Sequence, residues 1–466
     1  MTKHKSMKHL LLHILFTLCS ATALMSCGSD DDGAVVQSSY EQYGTPFANM
    51  PSKEDAMIYQ VNLRAFSEAG TINGVRERLA HIQELGANVI YLMPIYPVGQ
   101  LNSVGELGSP YSVKDYKAVS PEFGTLEDLR ALVEEAHAMN MAVIMDWVAN
   151  HTSWDNAWIF NHPEWYQQDE NGNIIAPPGT GWNDVAQLNY NNPELRTAMK
   201  DAMSYWVYNA NIDGFRCDFA DGVQQSFWAE AVATVRAIKN QPMLMLAEGT
   251  RRNHFDVGFD YTFGFAYFDA LKKVFSEGQP ATSIQTANAN EYNGNYNEGY
   301  RIVRYTSNHD VNIVDGTPLE LFGGKLGSLA TFVVAAYMKS VPMIYNAQEI
   351  GYNQRIPFFN HTPIDWSTAD AEVFAAYKQI IAFRKDSEAI KTGSYQGYSS
   401  ASVCAFTMES ASETVLVLSN LTNATVQYMV PSTLADGSWS NGFTGEDFNL
   451  NGTITLNPYQ YLVLQN

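Results

Sequence analysis

The chain is poor in cysteine and in basic residues. Its 466 residues include 4 cysteines, and no Cys/His spacing of the zinc-binding kind occurs. Lys and Arg number 28 against 49 Asp and Glu, for a formal net charge of −21. The basic surface that supplies most of the affinity for nucleic acid is therefore missing, and nucleic acid is excluded as a partner. Charge of this sign suits an exported protein that meets solvent and acts on a neutral substrate. No glycine-rich phosphate loop follows the first strand-like segment, which argues against a dinucleotide-binding sheet. Aromatic residues, in contrast, make up 12% of the chain, with 26 Tyr, 23 Phe and 9 Trp. Most of that content serves core packing. Flat aromatic faces also suit the apolar faces of sugar rings. The length fits two or three domains, or one large barrel with an appendage.

Residues 1–26 read as a targeting segment rather than as fold. Lys3, Lys5 and Lys8 precede the short apolar run "LLLHILFTLC", too short and interrupted for a membrane span. "LMSCGSDDD" follows and resembles a bacterial lipoprotein box, in which Cys27 is lipidated and becomes the mature N-terminus. Removing residues 1–26 takes away three lysines and no acids, leaving a charge of −24. "SDDD" just after Cys27 resembles the acidic export tag of surface lipoproteins in the Bacteroidetes. The expectation is an outer-membrane lipoprotein exposed at the cell surface, or otherwise facing the periplasm, held to the membrane by the N-terminal lipid alone. Residues 27–50 read as an acidic tether. Past Cys27, Cys217 and Cys404 remain and fall in different expected domains, so both are expected as free thiols.

From Met57 two patterns alternate. "MIYQVNL", "NVIYLMP", "MAVIMDWV", "NIDGFRCDF", "PMLMLAE", "YRIVRYTSN" and "VPMIYN" read as apolar strands. Helices are expected between them: residues 73–86 with Asn73 as a cap and Gly86 as a stop, residues 125–140 with Thr125 and Asp128 in capping-box spacing, residues 192–209 opened by Pro193, and residues 227–240. Continuous apolar strands alternating with amphipathic helices imply parallel strands buried on both faces. The fold class is thus α/β, a (β/α)8 barrel over residues 51–387, with an open doubly wound sheet as the alternative. The polar, aromatic segment 151–191 after the third strand reads as a small inserted domain. Residues 388–466 change to short β-forming runs between Gly, Asn and Pro turns, expected as a C-terminal all-β sandwich.

Charged residues recur where these strands end. In "DGFRCDF", Arg216 and Asp218 share one face of the strand, and Phe215, Cys217 and Phe219 share the other. If the apolar set meets the helices, Arg216 and Asp218 point into the C-terminal mouth of the barrel, where barrel active sites lie. Arg216 is expected to hold the Asp218 carboxyl down and keep it ionised. Glu248 ends "MLMLAE", and burial would raise it into the range of a general acid. Asp310 follows His309 in "YTSNHD", and Asp146 lies in "VIMDWVANH" ahead of Asn150 and His151. Each alone could be a cap or a structural ion pair. Four strands placing carboxyl groups at one rim point instead to two carboxyls in split environments, which glycoside hydrolysis requires.

With these motifs in order, the sequence resembles glycoside hydrolase family 13, the α-amylase family, from Met57 to the C-terminus. "DWVANH", "GFRCDFADGV", "AEGTR" and "TSNHD" match its four conserved regions in sequence and spacing. The resemblance implies Asp218 as catalytic nucleophile, Glu248 as acid/base and Asp310 as the third carboxylate. It implies Arg216 as the residue orienting the nucleophile. Asp146, His151 and His309 then contact or support the sugar at the cleavage point, Tyr59 stacks there, and Tyr111 lines the same subsite. The implied function is retaining hydrolysis of α-1,4 links in starch-like glucans or maltooligosaccharides. A transglycosylase or α-1,6-acting member is the alternative, and a glycan-binding lipoprotein on an inactive fold is the non-enzymatic one. Retention of all three carboxylates argues against the last.

The chain also departs from the family. "SPY" (residues 109–111) stands where many members have His-Gly-Tyr, and "ADGV" replaces the Lys-His pair after the nucleophile. Gln187, in "VAQLN", stands where calcium-binding members carry Asp. No cofactor is required by the implied chemistry and no metal site is assigned. Asn150 is the one remaining candidate ligand for calcium, which favours several oxygens, mostly carboxylate.

Overall fold

A computed structural model describes residues 40–293, 300–435 and 437–466. Cys27, the segment 1–26 and residues 27–39 of the tether lie outside the described residues. Eight parallel strands close into a barrel: β1 (Ile58–Val61), β2 (Val89–Leu92), β3 (Ala142–Val148), β4 (Gly214–Asp218), β5 (Leu244–Ala247), β6 (Tyr261–Phe263), β7 (Arg301–Tyr305) and β8 (Ser340–Tyr345). Neighbours in sequence are neighbours in the barrel, and β1 closes it by pairing with both β2 and β8. Every residue of all eight strands is buried, the packing that continuous apolar runs anticipate when helices cover the outside.

Seven of these strands follow the apolar runs of the sequence. The eighth, β6, has only three residues, "YTF", too few to show a period. Local chemistry sets most helix starts. Thr125 caps Leu126–Ala138, with Asp128 returning the bond to complete the capping box. Asn192 caps Pro193–Ala210, accepting from the N–H groups of Glu194 and Leu195. The helix expected over 73–86 is instead two, Ile72–Arg76 and Leu79–Leu85, capped by Thr71 rather than Asn73. Asn73 is drawn away, its amide donating to Asp128 at 2.8 Å. Gly86 stops the second piece at φ 99°, a conformation that costs glycine little.

The insert leaves the barrel after β3. His151–Ser153 pairs antiparallel with Val185–Gln187, His151 opposite Gln187. The C-terminal part holds a six-stranded antiparallel sheet, beginning at Ser394, and a two-stranded sheet formed by Val426–Met429 and Thr453–Leu456. Val403, Leu416, Leu418 and Leu464 pack against Tyr428 and Leu456 of the smaller sheet. Phe406, Met408 and Val417 face the main core instead, and Ser419 donates to the carbonyl of Ala330 on the barrel helix Gly324–Tyr337 at 2.9 Å. Cys217 and Cys404 are buried and unpaired. Among the described residues no helix is long and apolar enough to cross a membrane.

Candidate active site

The charges of β4 meet at the barrel mouth because of its register with β3 and β5. Asp146 pairs with Arg216 across β3 and β4, and Val148 with Asp218. Gly214 lets β5 come close, since a Cβ there would lie 1.9 Å from the carbonyl oxygen of Leu244. Arg216 is 1% exposed, and its guanidinium organises the site. Nη1 donates to Asp146 Oδ1 at 2.7 Å and to Asp218 Oδ1 at 2.9 Å, while Nη2 holds Glu248 Oε1. The other oxygen of Glu248 accepts the backbone N–H of Phe219 at 2.8 Å.

A cavity of about 690 Å³ opens over this cluster, lined among others by Asp218, Glu248, Asp310, Tyr111, His309 and His151. Asp146 and Arg216 lie behind the lining residues and are fully enclosed. The helix His309–Val314 begins as the chain leaves β7, capped by Asn308, so both His309 and Asp310 face the cavity. The Asp310 side chain is 56% exposed, open to whatever enters.

His309 sits in a polar chain. Gln60 Nε2 donates to His309 Nδ1 at 2.8 Å, which leaves Nε2 as the protonated nitrogen, donating to the Tyr111 hydroxyl at 2.7 Å. The Tyr111 hydroxyl in turn donates to Asp146 Oδ2 at 3.1 Å, and Tyr91 donates to the same oxygen at 2.6 Å. Burial, helped by Arg216, lowers His309 to about 4, and burial lowers His151 to about 4. Both rings are neutral donors or acceptors at neutral pH.

The expectation that Arg216 holds Asp218 below the usual range is corrected. Burial pushes the Asp218 carboxyl well upward; Arg216 opposes it, but the charges of Glu248, Asp146 and Asp310 add to the upward push. Burial outweighs the one cation, so Asp218 and Asp146 hold their protons more firmly than free carboxylates would.

The placement of Tyr59 is also corrected. It is 0% exposed, and its hydroxyl donates to Glu349 at 2.8 Å, away from the cavity. Strand parity is the reason: Gln60 is the inward residue of β1, which turns Tyr59 to the helix layer. A polar residue in the middle of an apolar strand was the available signal for Gln60.

Phe219 also departs from expectation. It lies on the cavity wall rather than among the helices. The strand ends at Asp218, and Phe219 takes a left-handed conformation at φ 40°, sparsely populated for a bulky residue and typical of strained functional turns. That turn aims its N–H at Glu248 and sets its ring against Trp182, centroids 5.1 Å apart. Trp182 also meets His151 edge-on at 5.5 Å.

Asp213 and Asp221 have structural partners. Asp213 Oδ2 accepts from the N–H of Val143 at 2.8 Å and from His137 at 2.7 Å. Asp221 accepts from His254 Nε2 at 2.7 Å and from the N–H of Thr250 at 3.0 Å, tying the loop after Asp218 to the loop after Glu248. Burial alone would raise Asp221, yet the His254 and backbone hydrogen bonds bring it down to about 2.

The sequence pattern described as "Alpha amylase, catalytic domain" matches residues 34–175 and 179–362. The chain belongs to the α-amylase family. "Alpha-amylase 3" of Dictyoglomus thermophilum is 25% identical over 442 residues, covering 80% of this chain and 86% of that protein. The crystal structure of an α-amylase from Lactobacillus plantarum superposes with a TM-score of 0.80 at 27% identity, covering 89% of this chain and 99% of the other. "Probable oligo-1,6-glucosidase 3" of Bacillus subtilis is 32% identical over 200 residues, covering 35% of each chain. This chain is therefore an α-amylase-family glycosidase, and the carboxyl cluster lies at the C-terminal mouth where enzymes on this barrel place their chemistry.

Proposed function

We propose that this α-amylase-family enzyme hydrolyses α-1,4-glucosidic bonds in starch-like glucans or maltooligosaccharides with retention, through a covalent glycosyl-enzyme. The grip of one guanidinium on both Asp218 and Glu248, beneath an open cavity, carries the proposal. Two carboxyls tied to one side chain favour the separation of about 5–5.5 Å used by retaining enzymes over the about 6.5–9.5 Å that inverting enzymes need for a water. In its ionised form Asp218 attacks the anomeric carbon through the oxygen not bound by Arg216. The bond to the leaving oxygen breaks as Glu248 delivers its proton there. Glu248, now a carboxylate, takes a proton from water, whose oxygen attacks the anomeric carbon and frees Asp218. The exposed carboxylate of Asp310 accepts sugar hydroxyls and offsets developing positive charge, and Tyr111 and His309 present a neutral edge to the same ring.

Digestion of amylose, pullulan and maltoheptaose, with proton NMR of the first product, tests this reading. The expected result is cleavage of amylose and maltoheptaose with the α-anomer formed first. An initial β-anomer would sink retention. The partial likeness to an oligo-1,6-glucosidase supports a second reading, α-1,6 cleavage, and release of maltotriose-type products by cutting only the α-1,6 links of pullulan would favour it.

For location, the proposal is lipidation at Cys27 and anchoring in the outer membrane by acyl chains alone. Several chains on one residue give stable attachment where a single chain does not. Cys27→Ala is expected to move the enzyme to the soluble fraction with its activity intact. Retention in membranes after a carbonate wash would show a different anchor.

A further inference from the structure

Asn150 and Gln187 stand where calcium-binding members of the family carry ligands, and here their carboxamides bond to each other. Gln187 Nε2 donates to the Asn150 carbonyl at 3.0 Å, to Asn150 Oδ1 at 3.1 Å and to the Leu188 carbonyl at 3.2 Å. Asn150 Nδ2 donates back to Gln187 Oε1 at 3.2 Å. Three oxygens thus converge on a nitrogen bearing partial positive charge. Reversing the amide would set Gln187 Oε1 against the same three oxygens, so the hydrogen bonds decide which end is nitrogen.

Calcium takes about 6–8 oxygen ligands at about 2.3–2.6 Å, with carboxylates among them. The donor set does not fit it: amide hydrogens point into the space an ion would need. Among the described residues, the acidic and imidazole groups close enough to share a metal are His162, Glu164 and Glu194, a different and largely exposed group. Asn150 is enclosed, and Gln187 is half-buried beside it. Asn150 is 1% exposed, and a Cβ on Gly222 would lie 2.8 Å from Asn150 Oδ1. Gly222 belongs to the turn that follows Asp218 and Phe219. Gln187 ends the insert strand that pairs with His151, which lines the cavity.

We propose that the Asn150–Gln187 carboxamide pair is a built-in clasp that replaces a bound cation in locking the insert to the barrel, and that Gln187→Asp converts it into a calcium-dependent clasp. The amide shares its two hydrogens among three oxygens that would otherwise repel one another. An aspartate there adds a negative charge and removes the donor that the three oxygens share, a set that a cation satisfies. The clasp concerns folding, so it stands or falls apart from the choice of glycosidic linkage.

Thermal melting of the full chain, in chelator, in excess calcium and in excess magnesium, tests it. The wild type is expected to melt at one temperature in all three. Gln187→Leu, similar in size but without a donor, should melt several degrees lower in all three alike. Gln187→Asp should melt lowest in chelator and magnesium and recover in calcium, as binding to the native state alone requires. If Gln187→Asp does not fold without calcium, folding it in calcium and then adding chelator gives the same reading. A wild-type melting point that falls in chelator and returns with calcium but not magnesium would overturn the proposal. So would a Gln187→Leu variant that melts like the wild type, or a Gln187→Asp variant indifferent to calcium.

Discussion

Asp218→Asn is expected to lower kcat/KM on maltooligosaccharides on the order of 10⁶-fold, the scale seen when a covalent nucleophile is removed. That is about 8 kcal/mol of transition-state stabilisation. The amide keeps the shape and its oxygen still accepts from Arg216, so binding of a maltooligosaccharide, read by calorimetry, should persist while turnover is lost. The fold should not weaken. Burial and the neighbouring acids push Asp218 upward in the native state, so between the ordinary carboxylate range near about 4 and that raised value the native state holds more protons than the unfolded chain. Stability due to this group therefore falls as pH rises through that window. Asparagine removes the effect, and the variant should melt at or above the wild type, with the difference growing as pH rises above about 4. Retained turnover would remove Asp218 from the chemistry. Lost turnover with a lowered melting point at neutral pH would make the residue structural.

Much of this site is legible in "DGFRCDF" because a strand is a two-state code: once the apolar set is given to the helices, Arg216 and Asp218 must point inward. The code fails where the backbone stops being a strand. Phe219 has the parity of Phe215 and Cys217, yet its left-handed turn sends it into the cavity. His309 and Asp310 share the cavity although they are adjacent, since β7 ends at Tyr305 and a helix begins at His309. Tyr59 shows the opposite error, where a motif match outweighed a parity that favours Gln60. The barrel was readable from seven apolar runs; β6 was not, because three residues carry no period. Trp182 carries no pattern either. It stands in a loop beside Gly179 and Gly181, both at φ 77°, and only the folded insert brings it to Phe219. The electrostatics were least legible. One arginine beside one aspartate suggests an ion pair, but burial, joined by the charges of Glu248, Asp146 and Asp310, outweighs Arg216, and the net shift of Asp218 is upward.

Glu248→Ala is expected to separate substrates by their leaving groups. On starch, whose departing sugar needs a proton, the loss should be about 10²–10⁴-fold, the usual contribution of general acid–base catalysis. On aryl maltosides with acidic phenols, bond breaking needs no proton, so the first step should survive and release one equivalent of phenol in a burst. The second step lacks its base, so the sugar should remain on Asp218. Azide needs no deprotonation and should restore turnover on the aryl substrate, leaving as the α-glycosyl azide. A packing effect must be told from a proton-transfer effect, since Glu248 also accepts from Arg216 and from the Phe219 N–H. Glu248→Gln answers that. Its amide oxygen can still accept the Phe219 hydrogen bond, so the strained turn is kept, but it cannot donate a proton of the required acidity. If it behaves as Glu248→Ala does, with starch turnover lost and the aryl burst kept, the missing function is the proton. If Glu248→Gln restores starch turnover, or if both variants lose both substrates equally, Glu248 serves to hold the turn and the acid must be sought among the other carboxyl groups of the cavity.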